Sequence, residues 1–206
     1  RRFVRYPYHK TAAARLVKAI DDGTSLLVEK SRDMGVSWLT MGVFLWMWLF
    51  KPSFHALIGS RKEDLVDDYT PDSLMGKMDY MIERLPPWMI PDYNRRRHRR
   101  LLKLEHPGGS LVTGESANPS FGRGPRKNVV YLDEFAFFEA DRSVWTGIAD
   151  TAPAKIVTST PYGSANQYAE LRHSGEIDVL TLHWSQHPYK TPEWYQKECA
   201  RRTAKA

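Results

Sequence analysis

Residues 25–38 read Ser25-Leu-Leu-Val-Glu-Lys-Ser-Arg-Asp-Met-Gly-Val-Ser-Trp38 and join a short apolar run to a long one. The run 25–28 predicts a buried β-strand, and the apolar stretch that Ser37 opens predicts a helix. A short loop that carries Gly35 lies between them. The first amides of a helix have no partner within the helix and carry partial positive charge. A strand, a tight loop and a helix N-terminus therefore form a cradle for phosphate groups.

This loop departs from the usual phosphate-binding pattern G-x-x-x-x-G-K-[ST] in two places. Gly35 and Ser37 match the second glycine and the hydroxyl residue. Lys30 stands in place of the first glycine, and Val36 stands in place of the lysine. A lysine at the front of the loop is long enough to reach the same phosphates as a point charge, and Arg32 adds a second cation. We call residues 30–37 the phosphate loop; taken alone, they also fit an ordinary strand-to-helix turn.

Composition limits the class of protein. The chain has 206 residues, which suits one α/β domain. Lys and Arg number 30 against 24 Asp and Glu, and the net charge of +6 favours a polyanionic partner. Cys199 is the single cysteine, which excludes an internal disulfide and fits a reducing, intracellular setting. The apolar run 38–50 is shorter than the about 20 residues that span a bilayer, so we expect a buried helix and no membrane partner.

A second strand-loop-helix unit follows the first. Residues 54–59 predict a strand, and Ser60 with Glu63 predicts a capping box at the start of a helix over 60–68. Two such units in succession favour a parallel α/β sheet. Further strands are predicted at 128–132, 154–159 and 178–184, helices at 11–22, 73–84 and 193–202, and an antiparallel hairpin at 101–105 and 110–113.

The strand predicted at 128–132 ends in two adjacent carboxylates, Asp133 and Glu134. In a parallel sheet, ligands collect at the carboxyl ends of the strands, beside the phosphate loop. We therefore predict that Asp133 and the Ser37 hydroxyl hold Mg²⁺. Glu134 is then placed to accept a proton from an attacking water. The combination of loop and carboxylates makes a nucleotide site the favoured interpretation.

The strand predicted at 154–159 ends in Ser159-Thr160-Pro161. Small hydroxyl residues at a strand tip beside a γ-phosphate can sense that group and relay its presence. In isolation the segment is only a turn, for which proline and the following glycine are typical. Its position after Asp133 and Glu134 is what makes it a candidate for sensing the γ-phosphate.

Taken together and in this order, the motifs resemble the ATPase domain of the large terminase subunit of tailed bacteriophages. The phosphate loop is similar to the deviant Walker A of that family, with its lysine moved to the front. Asp133-Glu134 resembles the Walker B and catalytic glutamate, and residues 159–161 resemble the coupling motif. Phe121-Gly-Arg123-Gly resembles the segment that supplies an arginine to a neighbouring subunit. The family often places a glutamine near Lys10 to read adenine, and here there is none.

The resemblance implies a fold, a domain division and a set of site residues. The fold is an α/β P-loop NTPase of the ASCE, RecA-like group, with a mainly parallel sheet flanked by helices and an antiparallel hairpin. Residues 1–186 form the ATPase domain, and 187–206 begin a linker toward an absent nuclease domain. The implied catalytic residues are Glu134, Arg123 and Arg32, and the implied metal ligands are Ser37 and Asp133. The implied nucleotide contacts are Lys30, Ser31, Arg32, Asp33, Met34, Gly35, Val36, Ser37, Trp38 and Thr160.

The implied function is hydrolysis of Mg-ATP to translocate double-stranded DNA into a procapsid, without nuclease activity in this chain. The implied partners are DNA, the portal protein, the small terminase subunit and further copies in a ring, in the cytoplasm of an infected bacterium at the procapsid portal. The isolated chain is expected to be monomeric. Because Arg123 precedes the carboxylate strand, we expect it at the strand's far end, in reach of a neighbour's nucleotide. The basic run 95–100 is a candidate DNA contact, a solvated face that leads into the hairpin, or a lid of the nucleotide pocket that contacts the next subunit.

Two other classes of function remain open on the sequence. One is a different DNA-dependent P-loop ATPase such as a helicase, which usually carries a second RecA-like domain. The other is a non-catalytic nucleotide-binding module with a degenerate loop, for which Val36 is the motive. Release of phosphate from Mg-ATP separates the second class from an enzyme.

Overall fold

An eight-stranded sheet forms the centre of the structure, a computed structural model that describes residues 4–203. Its strands are β1 (Leu26–Lys30), β2 (His55–Ser60), β3 (Arg99–Arg100), β4 (Lys103–Glu105), β5 (Leu111–Ser116), β6 (Val129–Asp133), β7 (Ala154–Ser159) and β8 (Asp178–Leu182). They lie in the order β3-β4-β5-β2-β6-β7-β1-β8. In this order, every neighbouring pair from β5 to the β8 edge is parallel. The pairs β3–β4 and β4–β5 are antiparallel.

This topology confirms the predicted mainly parallel α/β sheet with an antiparallel hairpin. One strand, β7, lies between β1 and β6, and Asp133 at the end of β6 pairs in register with Thr158 of β7. The carboxyl ends of β1, β6 and β7 therefore meet at one edge of the sheet. The segments singled out from the sequence as chemical motifs leave the sheet at this edge.

Helices cover both faces of the sheet, as a parallel sheet requires. They are α1 (Pro7–Asp22), α2 (Val36–Phe50), α3 (Glu63–Val66), α4 (Leu74–Ile82), α5 (Arg95–His98), α6 (Asp141–Gly147), α7 (Gln167–Ser174) and α8 (Pro192–Thr203), with 3₁₀ turns at Pro87–Met89, Phe135–Phe137 and Trp184–Gln186. Successive strand side chains point to opposite faces. In β6, Val129 and Tyr131 pack with α1, α2 and α4, whereas Val130 and Leu132 pack with α6 and α7.

Local chemistry explains where several helices begin and end. Helix α1 ends at Gly23, whose φ of 66° is the left-handed cap conformation that the sequence predicted. The Ser73 hydroxyl accepts a hydrogen bond from the amide of Gly76 and caps α4. Of the helices in residues 4–203, none combines the length and the apolar character that crossing a membrane requires.

Some predicted elements differ from the structure. The predicted capping box at Ser60 is wrong, because Ser60 is the last residue of β2 and α3 is a single turn that begins at Glu63. Helix α1 starts four residues before the predicted residue 11, at Pro7, whose fixed φ suits a first helical turn. Helices α6 and α7 lie in stretches for which no helix was predicted. The division of the chain at residue 187 stays a prediction.

Candidate nucleotide-binding site

The phosphate loop turns sharply between β1 and α2. Asp33 has a φ of 58° and Gly35 has a φ of 70°, so both occupy the left-handed region. Left-handed residues in a turn expose successive amides to one side, the arrangement of an anion-binding nest. The side chains of Met34 and Val36 are buried, at 1% and 3% exposure, so these two residues can meet a ligand only through their backbone. A valine at this position is therefore compatible with a loop that binds phosphate through its amides.

Asp133 is oriented by three hydroxyl groups. Its Oδ1 accepts hydrogen bonds from Tyr131 Oη at 2.8 Å and Thr158 Oγ1 at 2.7 Å. Its Oδ2 accepts from Ser37 Oγ at 2.9 Å. Burial, and then the charge of Asp133, raise the pKa of the Tyr131 phenol well above its ordinary value, so the phenol remains a donor. Tyr131 and Thr158 thus hold Oδ1, and Oδ2 is directed toward Ser37 of the phosphate loop.

The pair of Ser37 and Asp133 suits a magnesium ion. A hydroxyl oxygen and a carboxylate oxygen 2.9 Å apart are hard donors on one side of a cleft, and Mg²⁺ takes its remaining ligands from water and phosphate. Residues 4–203 hold no cluster of three or more His, Cys, Asp or Glu side chains arranged for a metal. Two protein oxygens leave the other positions around the ion to water and phosphate, so the pair fits an ion that arrives with a phosphate ligand.

Glu134 occupies an unusual backbone conformation at the end of β6. Its φ of 55° is left-handed, which costs free energy for a residue other than glycine and is frequent at functional sites. Its Oε1 lies 2.6 Å from Lys30 Nζ. Its Oε2 lies 3.4 Å from both Ser159 Oγ and the Thr160 amide. The turn of the backbone thus brings the carboxylate between β1 and the tip of β7.

Two clefts flank the phosphate loop. The first, of about 660 Å³, is lined by Lys30, Arg32 and Thr160, with aromatic rings at its rim. Those rings belong to Phe137, Tyr162, Trp184, Trp194 and Tyr195. The second cleft, of about 840 Å³, lies between α1, α2 and α4 and is largely apolar; Gly35 and Trp38 line it beside the loop. A ligand that sits on the loop can extend into either space.

Arg123 lies in the segment that joins β5 to β6. It lines a cleft with Ser116, the last residue of β5, and with Asn118. Residues 117–127 run from the carboxyl end of β5 back toward the amino ends of β6 and β7, where Thr151 donates to the Gly122 carbonyl and accepts from the Lys127 amide. The expectation that Arg123 lies at the far end of the carboxylate strand stays a prediction. Strands are about 4.8 Å apart, so β5 is about 19 Å from β1 across four steps of the sheet.

The basic run 95–100 divides into two groups. Arg99 is buried and forms ion pairs with Asp67 at 2.6 Å and Asp79 at 2.9 Å. Arg95 pairs with Asp79 and with Glu83. The rest of the arginines in the run, Arg96, Arg97 and Arg100, are exposed. The interpretation of the whole run as one solvated or DNA-facing surface is therefore wrong for Arg99, which is structural.

Sequence reasoning missed the residues that position the site. Tyr131 lies two residues before Asp133 on the same strand, so its side chain lies on the same face, and that spacing was readable. Thr158 lies beside Asp133 only because of the register between β6 and β7. Tyr8 and His9 contact the Met34 carbonyl from 26 and 25 residues away, and no local pattern signals that contact.

No protein-family model matches the sequence, and no curated protein matches it. The fold is similar to that of several solved phage proteins. The large terminase ATPase domain of Thermus phage P74-26 matches with a TM-score of 0.60 and 19% identity, over 84% of this chain and 81% of that one. The large terminase of bacteriophage HK97 matches with a TM-score of 0.65 and 15% identity, over 97% of this chain and 48% of that one.

The large terminase of a thermophilic bacteriophage, solved in complex with ADP, matches with a TM-score of 0.62 and 10% identity, over 90% of this chain and 48% of that one. The chain spans about half the length of this terminase and of the HK97 terminase. At these identities the likeness concerns the fold. The chain has the P-loop NTPase fold of the ATPase domains of phage large terminases.

Proposed function

We propose that this chain is the ATPase motor domain of a phage large terminase subunit, which hydrolyses Mg-ATP to translocate double-stranded DNA into a procapsid. One observation carries the proposal. Lys30, Glu134 and the pair of Ser37 and Asp133 converge on one loop, at the carboxyl edge of a sheet with the terminase ATPase fold. One structural neighbour was solved in complex with ADP, which supports a nucleotide as the ligand.

The two clefts define the orientation of the nucleotide in this proposal. Lys30, Glu134 and Thr160 meet beside the first cleft, so the γ-phosphate belongs there. The helix that begins at Val36 carries Trp38 beside the second cleft, which receives the α-phosphate end. The base and ribose then enter this largely apolar space, which suits a flat aromatic ring.

Lys30 and Glu134 exchange partners in the proposed cycle. In the structure they form an ion pair at 2.6 Å. On binding of ATP, Lys30 Nζ moves to the phosphate oxygens, where a lysine acts as a point charge. This frees the Glu134 carboxylate to orient a water and accept its proton, the role of a general base. The hydrogen bonds from Ser159 and Thr160 keep that carboxylate on the γ-phosphate side.

Ser37 and Asp133 hold the magnesium ion in this proposal. When bound, Mg²⁺ neutralises charge that develops on the phosphate oxygens. Tyr131 and Thr158 keep Asp133 Oδ2 directed at Ser37, and the phosphate loop contributes amides between Ser31 and Ser37. Two arginines are candidates for the remaining transition-state charge: Arg32 in the same subunit and Arg123 in a neighbouring one.

Arg123 fits a role between subunits better than one within its own. It is exposed at the edge of β5, about 19 Å from β1 by strand spacing. That distance exceeds the reach of an arginine side chain toward its own phosphate loop. A head-to-tail ring, in which the same contact repeats by rotation, brings it to the next subunit's nucleotide.

The partners of the proposed motor are double-stranded DNA, the portal protein, the small terminase subunit and further copies of the chain. It acts at the procapsid portal in the host cytoplasm. Arg96, Arg97 and Arg100 are the proposed DNA contacts, since phosphate contacts give sequence-independent, salt-sensitive affinity. Residues 1–186 form the motor domain in this proposal, and residues from 187 begin the linker. We assign no nuclease activity to this chain.

Phosphate release from Mg-ATP tests the proposal, with and without double-stranded DNA and at several protein concentrations. We expect Mg-dependent hydrolysis that rises per subunit with concentration or on addition of DNA. A helicase also separates the strands of the added DNA, which a strand-displacement assay on the same samples detects, and a non-catalytic module binds nucleotide without releasing phosphate. Either of those outcomes overturns the assignment as a translocating ATPase.

Mixing variants tests the arginine in trans. Arg123→Ala subunits keep an intact Glu134, and Glu134→Gln subunits keep an intact Arg123. At a mixed interface, one site has both groups, so the mixture is expected to regain activity that neither variant has alone. Arg126→Ala, an exposed arginine of the same segment, is the matched control and should retain activity by itself. A mixture that stays inactive excludes Arg123 as the cation in trans and leaves Arg32 as the better candidate.

A further inference from the structure

The phosphate loop is held by hydrogen bonds to its carbonyl groups from two other parts of the chain. The Met34 carbonyl accepts from His9 Nε2 at 2.8 Å and from Tyr8 Oη at 3.2 Å. The Arg32 carbonyl accepts from Lys190 Nζ. The two carbonyls flank Asp33, the residue with left-handed φ. The bonds therefore act at the point where the loop backbone is most constrained.

The hydrogen bonds of His9 fix its protonation state. Its Nδ1 accepts from the Tyr6 amide at 3.2 Å, at the N-terminus of α1. A carbonyl oxygen can only accept, so Nε2 must carry the proton that it donates to Met34. The ring is therefore neutral with hydrogen on Nε2. Burial lowers the pKa of His9, which favours the same neutral form.

The contact has a geometric consequence for the loop. Amides that face an anion in a nest require the neighbouring carbonyls to face the other way. The left-handed conformation at Asp33 costs free energy and persists only where its surroundings determine it. A donor fixed on Met34 from α1 holds the carbonyl on the side away from the ligand. The amides of residues 33–35 are then presented to the phosphates before the ligand arrives.

We propose that His9 is a positioning residue that holds the phosphate loop in its anion-binding shape through the Met34 carbonyl. This inference rests on the proposed ATPase function and adds to it a residue 25 positions upstream. His9 also lines the second cleft beside Gly35. It therefore connects the cleft proposed for the base with the loop backbone proposed for the phosphates. Affinity for ATP depends on the bond that His9 donates, not only on the volume that its ring fills.

Two substitutions separate bonding from packing. His9→Gln keeps a donor and an acceptor on a side chain of similar reach, whereas His9→Leu keeps apolar volume and removes both. We expect His9→Leu to raise KM for ATP about tenfold with kcat changed less than about twofold, since the loss of one buried hydrogen bond falls mainly on ground-state binding. His9→Gln should restore KM to within about threefold of wild type, because both bonds are kept.

Leu16→Ala provides the control for stability. Leu16 is fully buried in the same helix but lies about two turns away from the contact. It should lower the melting temperature and leave KM unchanged at a temperature where the protein is folded. If His9→Leu fails to fold, His9→Asn, whose amide is one carbon shorter, takes its place in the comparison with His9→Gln.

The outcomes distinguish the inference from the proposed function. A folded His9→Leu with wild-type KM overturns the inference, and so does a His9→Gln variant with the same defect as His9→Leu, because packing alone then matters. Wild-type protein that neither binds nor hydrolyses Mg-ATP overturns the proposed function, and the inference with it. Lys30→Ala, measured beside these variants, gives the loss expected when a direct phosphate contact is removed.

Discussion

Two clusters in this molecule combine a long cationic side chain with carboxylates, and they differ in what surrounds them. Arg99 contacts Asp67 and Asp79, and the three side chains are 1%, 0% and 4% exposed. Lys30, which lines a cleft of about 660 Å³, contacts Glu134, whose side chain is 34% exposed. The first cluster has fixed partners on every side. In the second, an incoming phosphate can replace Glu134 as the partner of Lys30.

The comparison shows that the charge of a residue in the sequence does not distinguish a ligand-binding role from a structural one. Arg99 belongs to the densest basic run, yet its guanidinium donates to two buried aspartates, at distances from 2.6 to 3.0 Å. A buried cation whose partners are buried is part of the fold, because breaking such a pair leaves an uncompensated charge. A cation with a partly exposed partner is available to a ligand.

Lys30→Ala should have the largest effect on function. Removing the cation from the phosphate site is expected to lower turnover by about 10²-fold or more, in line with the loss of a fixed donor at a developing charge. Val36→Ala, at the position where the usual pattern has its lysine, should change turnover less than about threefold, since Val36 meets the ligand through its backbone. Steady-state ATPase assays of both variants check this. Turnover near wild type in Lys30→Ala would exclude Lys30 as the phosphate cation that replaces the lysine of the usual pattern.

Arg99→Leu should have the largest effect on stability. It removes the cation from buried Asp67 and leaves Asp79 with the longer contact to Arg95 at 3.5 Å, and we expect a loss of about 3–5 kcal/mol in the free energy of unfolding. Arg97→Leu, an exposed member of the same run, should stay within about 0.5 kcal/mol of wild type. Urea unfolding measures both. Equal losses in the two variants would mean that the two groups of arginines do not differ.

Ser37→Ala should have a smaller effect, confined to the metal. Without the hydroxyl, Asp133 Oδ2 keeps its position through Tyr131 and Thr158, so the fold is unchanged. The concentration of Mg²⁺ that gives half-maximal hydrolysis is expected to rise about tenfold, the lower end of what a lost metal-site residue costs. A titration with Mg²⁺ at saturating ATP checks this. An unchanged Mg²⁺ requirement would place the ion away from Ser37.

Lowering the pH should have the smallest of these effects, a loss of folding stability. Burial lowers the pKa of His9, His106 and His187 below the ordinary value of 6.5. A depressed pKa means that the unfolded chain binds protons more readily, so stability is present above about pH 6.5 and is lost as the pH falls through the folded-state values. Unfolding midpoints at about pH 7.5 and 5.5 should show this loss. The loss should be smaller in His9→Gln, which does not titrate; an identical loss would exclude His9 as a contributor.

Much of the fold was predictable because it depends on local patterns. Apolar runs that end in loop or carboxylate residues predicted the parallel strands, and β7 at Ala154–Ser159 agrees with its predicted bounds. Order along the chain and the rule that ligands meet the carboxyl ends of strands brought Ser37 and Asp133 together correctly. Helices α6 and α7 were missed, since each is short and its packing against the sheet, not its own periodicity, supports it.

The remaining features depend on contacts that a single sequence does not encode locally. Arg99 meets Asp67 and Asp79 across 32 and 20 residues, and His9 meets Met34 across 25. The helix cap predicted at Ser60 had the right residue types, but strand pairing extended β2 through Ser60. The segment of Arg123 runs from the end of β5 to a contact between Gly122 and Thr151, a path that strand prediction cannot give.

Mg-ATP binding and turnover by Glu134→Gln test the central claim, that Lys30 is the phosphate cation and Glu134 the base. The substitution removes the anion that holds Lys30 at 2.6 Å, so the account predicts that ATP binds at least as tightly as to wild type. Turnover should fall by about 10²-fold or more, the typical contribution of a general base. Weaker ATP binding by this variant, or turnover close to that of wild type, would contradict the account.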